Sequence, residues 1–180
     1  RPYMAECERR NSKQGQKHMT ITTGATLPDA TLLQMGEAGP EGVSLGDKLK
    51  DRKVVIFGLP GAYTGTCSTA HVPSFMRTID QFKAKGVDEV ICVSVNDPFV
   101  MAAWSKDMGA GDAGITMLGD PMSEFTTAIG MEFTAEPAGF LNRSKRYSML
   151  VENGVVTILN EEIVRGACEI SAGETLLDAM

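Results

Sequence analysis

The fold is decided by residues 54–95, which read VVIFGLPGAYTGTCSTAHVPSFMRTIDQFKAKGVDEVICVSV. The stretch opens with the short, β-branched run 54–59, which is typical of a strand buried on both faces of a sheet. Apolar residues then recur at spacings of three and four, which predicts a helix over 67–85 with Gly86 as its C-terminal stop. A second buried strand follows at 89–95. This order indicates a parallel βαβ unit.

Further elements extend the alternation on both sides of this unit. Residues 23–53 are punctuated by Gly and Pro and predict loops and short strands. The other expected elements are helix 99–108 with an N-cap in Asn96-Asp97-Pro98, strand 115–118, helix 121–129, strands 146–151 and 155–159 joined at Asn153-Gly154, and a terminal helix opened by a capping box at Ser171–Glu174. The whole predicts an α/β fold of the thioredoxin-like arrangement, with a mixed central sheet and helices on both faces.

Two patterns in the helical half of the chain have simple structural interpretations. Gly109, Gly111 and Gly114 match GxGxxG, but they follow a helix and precede a strand, the reverse of what dinucleotide binding requires, so we interpret them as a loop. The aromatic residues on the apolar helix faces are expected to pack in the core; they are Phe75, Phe82, Phe99 and Trp104.

Length and charge define one acidic domain with a basic arm. The 180 residues suit a single domain and carry a net charge of −6, which argues against a nucleic-acid binder. Residues 1–19 hold five basic and two acidic side chains, so this arm has a positive net charge. The net charge of the remaining residues is therefore more negative than −6. We expect the arm, residues 1–22, to be a disordered tail, a tag-derived segment or a targeting remnant, and the domain to span 23–180.

The four cysteines do not form a recognisable scaffold or metal motif. They are Cys7, Cys67, Cys92 and Cys168, and no CxxC pair occurs among them. A disulfide scaffold, a zinc ribbon and a dithiol motif are therefore not supported. No apolar run approaches the roughly 20 residues that a membrane span needs.

Cys67 stands where a reactive thiol is expected. It follows loop 60–66 at the start of the predicted helix, beyond the carboxyl end of a buried strand, where open α/β sheets place their sites. A free thiol is only about 3% ionised at pH 7, and the N–H groups at a helix N-terminus favour the thiolate. The alternative is an unreactive cysteine packed in the first helical turn.

At this loop the sequence resembles a known family. The spacing Pro60-x3-Thr64-x2-Cys67 resembles the PxxxTxxC signature of peroxiredoxins, and PGAYTGTCSTAHVPSF is similar to their type II subfamily, which includes plant type II and mammalian peroxiredoxin-5-like enzymes. The similarity continues through 93–100, Trp104, 119–121 and 145–149 and so covers residues 23–180. Gly65 departs from the proline that many members carry there, and we expect it to loosen the loop.

The resemblance implies a thiol-dependent peroxidase that reduces hydrogen peroxide and alkyl hydroperoxides without metal, haem or flavin. Cys67 then corresponds to the peroxidatic cysteine, Thr64 and Pro60 to its motif partners, and Arg146 to the active-site arginine. Donors aimed at the leaving oxygen stabilise the charge that develops there, and a guanidinium suits this role. Without the resemblance, Arg146 would be interpreted as an exposed residue at the start of a strand.

The second half of the catalytic cycle is less defined by the sequence. Cys92 matches the resolving position assigned in plant type II enzymes, and Cys168 approximates the C-terminal one of peroxiredoxin-5-like enzymes; we rank Cys92 first. One-cysteine turnover by glutathione or glutaredoxin is a close alternative, and thioredoxin is the third candidate reductant. The family also implies a homodimer formed near the active-site loop, in the cytoplasm or in an organelle such as the mitochondrion or plastid, and not a secreted protein.

Two other functions remain to be distinguished from the peroxidase. In the first, the protein is a peroxide sensor, and oxidation of Cys67 changes its interface with a partner. His71, four residues after Cys67, would make a Cys–His acyl-transfer dyad or half of a metal site. Since the only other histidine is His18 in the arm, we expect His71 to lie on the helix surface or at an interface.

Overall fold

A seven-stranded mixed sheet organises residues 19–180, the part of the chain that the structure, a computed structural model, describes. The strands are β1 (Thr31–Gly36), β2 (Gly39–Ser44), β3 (Lys53–Leu59), β4 (Glu89–Ser94), β5 (Ile115–Gly119), β6 (Glu132–Ala135), β7 (Phe140–Ser144), β8 (Tyr147–Glu152) and β9 (Val155–Glu161). The sheet has the order β2-β1-β5-β4-β3-β8-β9, while β6 and β7 form a separate hairpin. The mixed α/β architecture predicted from the sequence is confirmed.

The three central strands are parallel and set the position of the site. β3 pairs with β4, and β4 with β5, in parallel register, whereas β8 and β1 flank them antiparallel. Parallel strands bring their carboxyl ends to one edge, where the loops after β3 and β4 meet. In the middle of the sheet Phe57 lies beside Cys92 on β4 and Ser148 on β8.

Helices cover both faces of this sheet. They are α1 (Leu45–Leu49), α2 (Val72–Ala84), α3 (Pro98–Met108), α4 (Ala110–Ala113), α5 (Glu124–Ala128) and α6 (Gly173–Asp178), and a π-helical turn, Cys67–His71, leads into α2. Alternate residues of β3 point to opposite faces. Phe57 packs with α2, α3 and α6, whereas Ile56 packs with α1 and α5. Two cores therefore stabilise the sheet from opposite sides.

Most predicted elements are present, with shifted ends. The helix expected over 67–85 begins with the π-helical turn, and Gly86, at φ +83°, follows its last turn. Asp97 caps α3 by accepting a bond from the Val100 amide at 2.9 Å. The turn between β8 and β9 has positive φ at Asn153 and Gly154, the type I′ geometry that Asn-Gly favours.

Several predictions are wrong. The helix expected over 121–129 spans only α5, and the Gly109–Gly114 loop contains the short helix α4. Ser171 does not cap α6, whose N-cap is Ala172, because its hydroxyl donates to Glu162 instead. Phe99 is 61% exposed and not part of the core, although the three other aromatic residues are buried.

The predicted arm, residues 1–22, lies mostly outside the described residues, and Cys7 lies outside them entirely. At residue 21 the chain already contacts the domain, since the Ile21 amide donates to the Ile129 carbonyl at 2.9 Å. Within residues 19–180, no helix is long and apolar enough to cross a bilayer.

Candidate active site

Loop 60–66 carries the chain from the carboxyl end of β3 to the turn of Cys67, and neighbouring elements hold it in place. The Ala62 amide donates to Asn96 Oδ1 at 3.0 Å, which ties the loop to the residues that precede α3. On the other side, Arg143 Nη1 donates to the Pro60 carbonyl at 3.0 Å. The conformation of the loop is therefore fixed by strand and helix ends and not by its own sequence alone.

Thr64 determines how this loop becomes a helix. Its hydroxyl donates to the Gly61 carbonyl at 2.7 Å, and its own carbonyl accepts from the Ser68 amide at 3.1 Å. The single hydroxyl proton is therefore used inside the loop, and no hydrogen bond joins Thr64 to the Cys67 sulfur in this structure. The oxygen keeps lone pairs with which it can accept a bond from a bound hydroperoxide.

The thiol of Cys67 lies directly beside a buried guanidinium. Cys67 is 1% exposed at the start of the π-helical turn, and Arg146 Nη2 donates to its Sγ at 3.4 Å. Arg146 is 6% exposed, and its Nε and Nη1 make no hydrogen bond within the described residues. The guanidinium places a positive charge beside the sulfur, and its free N–H groups remain for a second ligand. The alternative of an exposed arginine is wrong.

A cavity opens beside Arg146. Its volume is about 410 Å³, and its walls include Pro60, Phe133, Lys145, Arg146 and residues 161–166. Arg165 lies over the ring of Phe133, with 5.1 Å between the guanidinium carbon and the ring centroid. The site thus offers a partly apolar space that Pro60 and Arg146 border.

His71 is buried under the turn of Cys67, and the prediction of a surface position is wrong. Its Nε2 lies 3.1 Å from the Ser171 carbonyl, so this nitrogen carries the proton. Burial and the positive charge of Arg146 lower the pKa of His71 to about 3. No hydrogen bond joins it to Cys67. The imidazole is a neutral packing and hydrogen-bonding group, and the geometry does not support a Cys–His dyad.

Cys92 is close in the fold to the site but inaccessible. It is fully buried in the middle of β4, and both neighbouring strands pair with it. Burial raises the pKa of its thiol, and the negative charge that Cys67 can carry raises it further. Its side chain shares the core on the Cys67 side of the sheet.

Cys168 has a different environment. It is half-buried in the irregular segment between β9 and α6, and it is a free thiol. Burial raises the pKa of Cys168, while the nearby charge of Arg146 works in the opposite direction. Thr66 Oγ1 donates to the carbonyl of Gly166, two residues before Cys168, at 2.8 Å, so this segment lies close to the site.

Sequence reasoning missed several residues that support the site. The indole of the buried Trp104 donates to Ser68 Oγ at 3.2 Å and so attaches α3 to the turn of Cys67. Asn96 was interpreted only as part of a helix cap, and Glu162 was not singled out. These roles depend on contacts between distant segments, for which the sequence offers no spacing signal.

Residues 19–180 contain no cluster of three His, Cys, Asp or Glu side chains that could hold a metal ion.

Comparison with known proteins gives a consistent result. Residues 22–177 match the family model described as Redoxin. The chain is 44% identical over 165 residues to Peroxiredoxin-2E-2, chloroplastic, of Oryza sativa subsp. japonica, covering 89% of this chain and 73% of that protein. It is 45% identical over 152 residues to Peroxiredoxin-2F, mitochondrial, of Arabidopsis thaliana, covering 81% and 75%.

A solved structure extends the likeness to three dimensions. The crystal structure of reduced Prx3 from Vibrio vulnificus in complex with hydrogen peroxide has a TM-score of 0.83 and 45% identity, and the match covers 89% of this chain and 99% of that one. The chain belongs to the redoxin family and, within it, to the type II peroxiredoxins, which are thiol peroxidases.

Proposed function

We propose that the Cys67 thiolate attacks the terminal oxygen of hydrogen peroxide or an alkyl hydroperoxide. The O–O bond breaks, the sulfur is oxidised by two electrons to a sulfenic acid, and the other oxygen takes up a proton and leaves as water or an alcohol. The observation that carries this proposal is the 3.4 Å contact between Arg146 Nη2 and Cys67 Sγ, beside a cavity that Arg146 lines.

The remaining donors of Arg146 have a role in the same step. Negative charge moves from sulfur to the leaving oxygen in the transition state, and donors directed at that oxygen lower the barrier. The unpartnered Nε and Nη1 of Arg146 are the donors available in the buried site. Thr64 Oγ accepts a hydrogen bond from the O–H group of the hydroperoxide, and Pro60 forms a wall without an N–H donor.

Stopped-flow kinetics with hydrogen peroxide test this assignment. We expect Cys67 to react far faster than free cysteine, and Cys67→Ser to abolish the reaction. Arg146→Lys keeps the charge but loses the planar set of donors, so its second-order rate constant should fall by about 100-fold. Arg143→Lys is the matched control, since Arg143 binds the loop carbonyl of Pro60 and not the sulfur. A wild-type rate no faster than that of free cysteine would contradict the assignment.

For the next step we propose that Cys168 resolves the sulfenic acid, which reverses the order expected from the sequence, where Cys92 ranked first. A disulfide needs Cα atoms within about 7 Å, so Cys67 and its partner must both move. Cys92 can move only if the central strand β4 separates from β3 and β5, whereas Cys168 lies in a segment without regular structure. Peptide mapping without reductant after one equivalent of peroxide tests the order. A bridge from Cys67 to Cys92 would contradict it.

The proposal also covers the reductant, the oligomeric state and the cellular compartment. Thioredoxin, glutaredoxin or glutathione reduces the oxidised enzyme, and two copies associate next to the active-site loop. We place the enzyme in a reducing compartment, the cytoplasm or an organelle; the names of the two plant relatives include a chloroplast and a mitochondrial protein.

A further inference from the structure

The segment that carries Cys168 is held by few contacts. We call residues 163–170 the flap; it lies between β9 and α6 and has no helix or strand of its own. Ile163 is 85% exposed and Val164 is 64% exposed, so these side chains add little to the core. A compact loop of this kind keeps its shape only if its two ends are fastened together.

A single carboxylate provides that fastening. Glu162 Oε2 accepts hydrogen bonds from the Glu169 amide at 3.1 Å, from the Ser171 amide at 3.1 Å and from the Ser171 hydroxyl at 2.9 Å. Glu162 precedes the flap, whereas Glu169 and Ser171 stand at its far end. Partial burial opposes ionisation, but these hydrogen bonds outweigh it and lower the pKa of Glu162. Bonds to an ionised acceptor are about twice as strong as neutral ones.

The fastening is connected to the catalytic machinery at both ends. The Glu162 amide donates to the Arg146 carbonyl at 2.9 Å. At the other end the Ser171 carbonyl accepts from His71, in the turn of Cys67. Ser171 is fully buried, so without the carboxylate its amide and hydroxyl would lose their partner unless the flap opened to water.

The remaining ties of the flap are weaker. Thr66 Oγ1 donates to the Gly166 carbonyl at 2.8 Å, and Thr175 Oγ1 donates to the Glu169 carbonyl at 2.6 Å, both at exposed positions. Neutral bonds that compete with water contribute about 0.5–1.5 kcal/mol each. Arg165 of the flap also lies over the Phe133 ring, with 5.1 Å between the guanidinium carbon and the ring centroid, and such a contact contributes about 0.5–1 kcal/mol at an exposed site. The Glu162 carboxylate, which accepts three charge-assisted bonds, is therefore the strongest of these restraints on the flap.

We propose that Glu162 is a positioning residue for the resolving step: its carboxylate holds the flap closed while Cys67 is reduced, and loss of these bonds releases Cys168 to reach the sulfenic acid. The thiol of Cys168 then displaces hydroxide from the Cys67 sulfur, one S–S bond forms, one S–O bond breaks, and the proton of the thiol leaves with the hydroxide as water. This inference rests on the proposed function of Cys67 and on Cys168 as its partner.

Release also makes the thiol more reactive. In the closed flap, burial raises the pKa of Cys168, so little thiolate is present. An open flap exposes the sulfur to water and removes that effect. The same event thus brings the thiol within reach and increases its nucleophilicity.

The test compares Glu162→Gln with Glu169→Gln in the full chain. Both variants remove one carboxylate from the same region, but the Glu169 side chain makes no hydrogen bond or ion pair with any described residue, so it is the matched control. The first measurement is alkylation of Cys168 in the reduced protein at fixed pH, read by peptide mass spectrometry. We expect Glu162→Gln to accelerate it about tenfold, since three charge-assisted bonds become neutral. Unchanged alkylation would overturn the inference.

The second measurement follows disulfide formation from the preformed sulfenic acid after one equivalent of peroxide. Glu162→Gln should accelerate bridge formation by a similar factor. Faster alkylation with an unchanged or slower bridge, or with a bridge that omits Cys168, would overturn the inference. Failure of Cys67 to react with peroxide would instead contradict the proposed function, because the first measurement needs no peroxide.

Two controls separate release of the flap from unfolding. Cys92 is fully buried in the central sheet, and its alkylation must remain slow in Glu162→Gln. Should this variant fail to fold, Ser171→Ala removes only the hydroxyl from the carboxylate and is expected to accelerate alkylation of Cys168 about threefold.

Discussion

At the scale of the single residue, His71 illustrates how the site keeps a titratable group neutral. Its ring stands edge-on to the rings of Phe57 and Phe75, with centroid distances of 5.1 and 5.6 Å. One nitrogen donates to the Ser171 carbonyl, and the other has no partner within the described residues. An imidazolium there would place a second buried cation near Arg146, so protonation is strongly disfavoured.

This neutral histidine predicts a pH-dependent stability. The pKa of His71 is about 3 in the folded state and about 6.5 in an unfolded chain. Above pH 6.5 neither state binds the proton; as pH falls from about 6.5 to 3 only the unfolded state binds it, so the folded state loses stability. Between pH 8 and pH 5 this loss amounts to about 2 kcal/mol. In His71→Gln, which retains a side-chain donor but does not titrate, the loss should be smaller by that amount in urea unfolding. Identical pH slopes would contradict the prediction.

The sequence singled out the candidate reacting residues but not their surroundings. Pro60, Thr64, Cys67 and Arg146 follow from one motif and its resemblance, and the structure brings Cys67 and Arg146 together. The burial of His71 could not be predicted, because helical spacing places it one turn after Cys67 without revealing that Ser171 covers that face. The prediction of a core position for Phe99 was wrong for a related reason. Apolar character alone does not distinguish a core residue from a surface residue that another chain can cover.

At the scale of elements, the entrance to α2 differs from an ordinary helix start. Helical conformation begins at Gly65, and the next turn is π-helical from Cys67 to His71. Such turns are rare and concentrate at functional sites. A side chain added at Gly65 would meet no atom within 4 Å, and its amide donates no hydrogen bond outside the local helix.

These properties make Gly65→Pro a favourable substitution. Proline is well suited to the first helical position and restricts the unfolded chain, so we expect the free energy of unfolding to rise by about 0.4–1 kcal/mol. If the freedom of Gly65 slows catalysis, peroxide turnover will rise as well. Gly65→Ala is the control, because it fills the same open space without fixing φ. Chemical denaturation measures the change, and destabilisation by proline would show that the turn requires a different backbone conformation.

Element boundaries were predicted least well where distant residues compete for local groups. The capping box at Ser171–Glu174 is a sound local pattern, yet the Ser171 hydroxyl binds Glu162, and the first amide of α6 donates to Ser74 Oγ at 2.9 Å instead. The hairpin of β6 and β7 was not predicted, since its residues lack a strict alternation. By contrast, Asn153-Gly154 and Gly86 fix backbone geometry locally and were predicted correctly.

At the scale of the whole molecule, the loop edge of the sheet leaves aromatic side chains uncovered. Tyr63 in the active-site loop is 53% exposed, and Phe99 at the start of α3 is 61% exposed. Their elements touch through the bond between the Ala62 amide and Asn96 Oδ1. Exposed apolar groups that belong to one surface mark interaction sites, and a second copy of the chain is the partner proposed for this edge.

A charge at Phe99 should therefore separate the two copies. A stable interface buries about 1,200–2,000 Å² and depends on a few aromatic anchors, and an aspartate in its centre would be desolvated without a partner. We expect wild type to sediment as a dimer and Phe99→Asp as a monomer with the same helix content by circular dichroism. Met19→Asp changes an apolar residue that is 87% exposed and lies outside the loop and α3, and this variant should remain dimeric. A Phe99→Asp protein that still sediments as a dimer would place the interface elsewhere on the molecule.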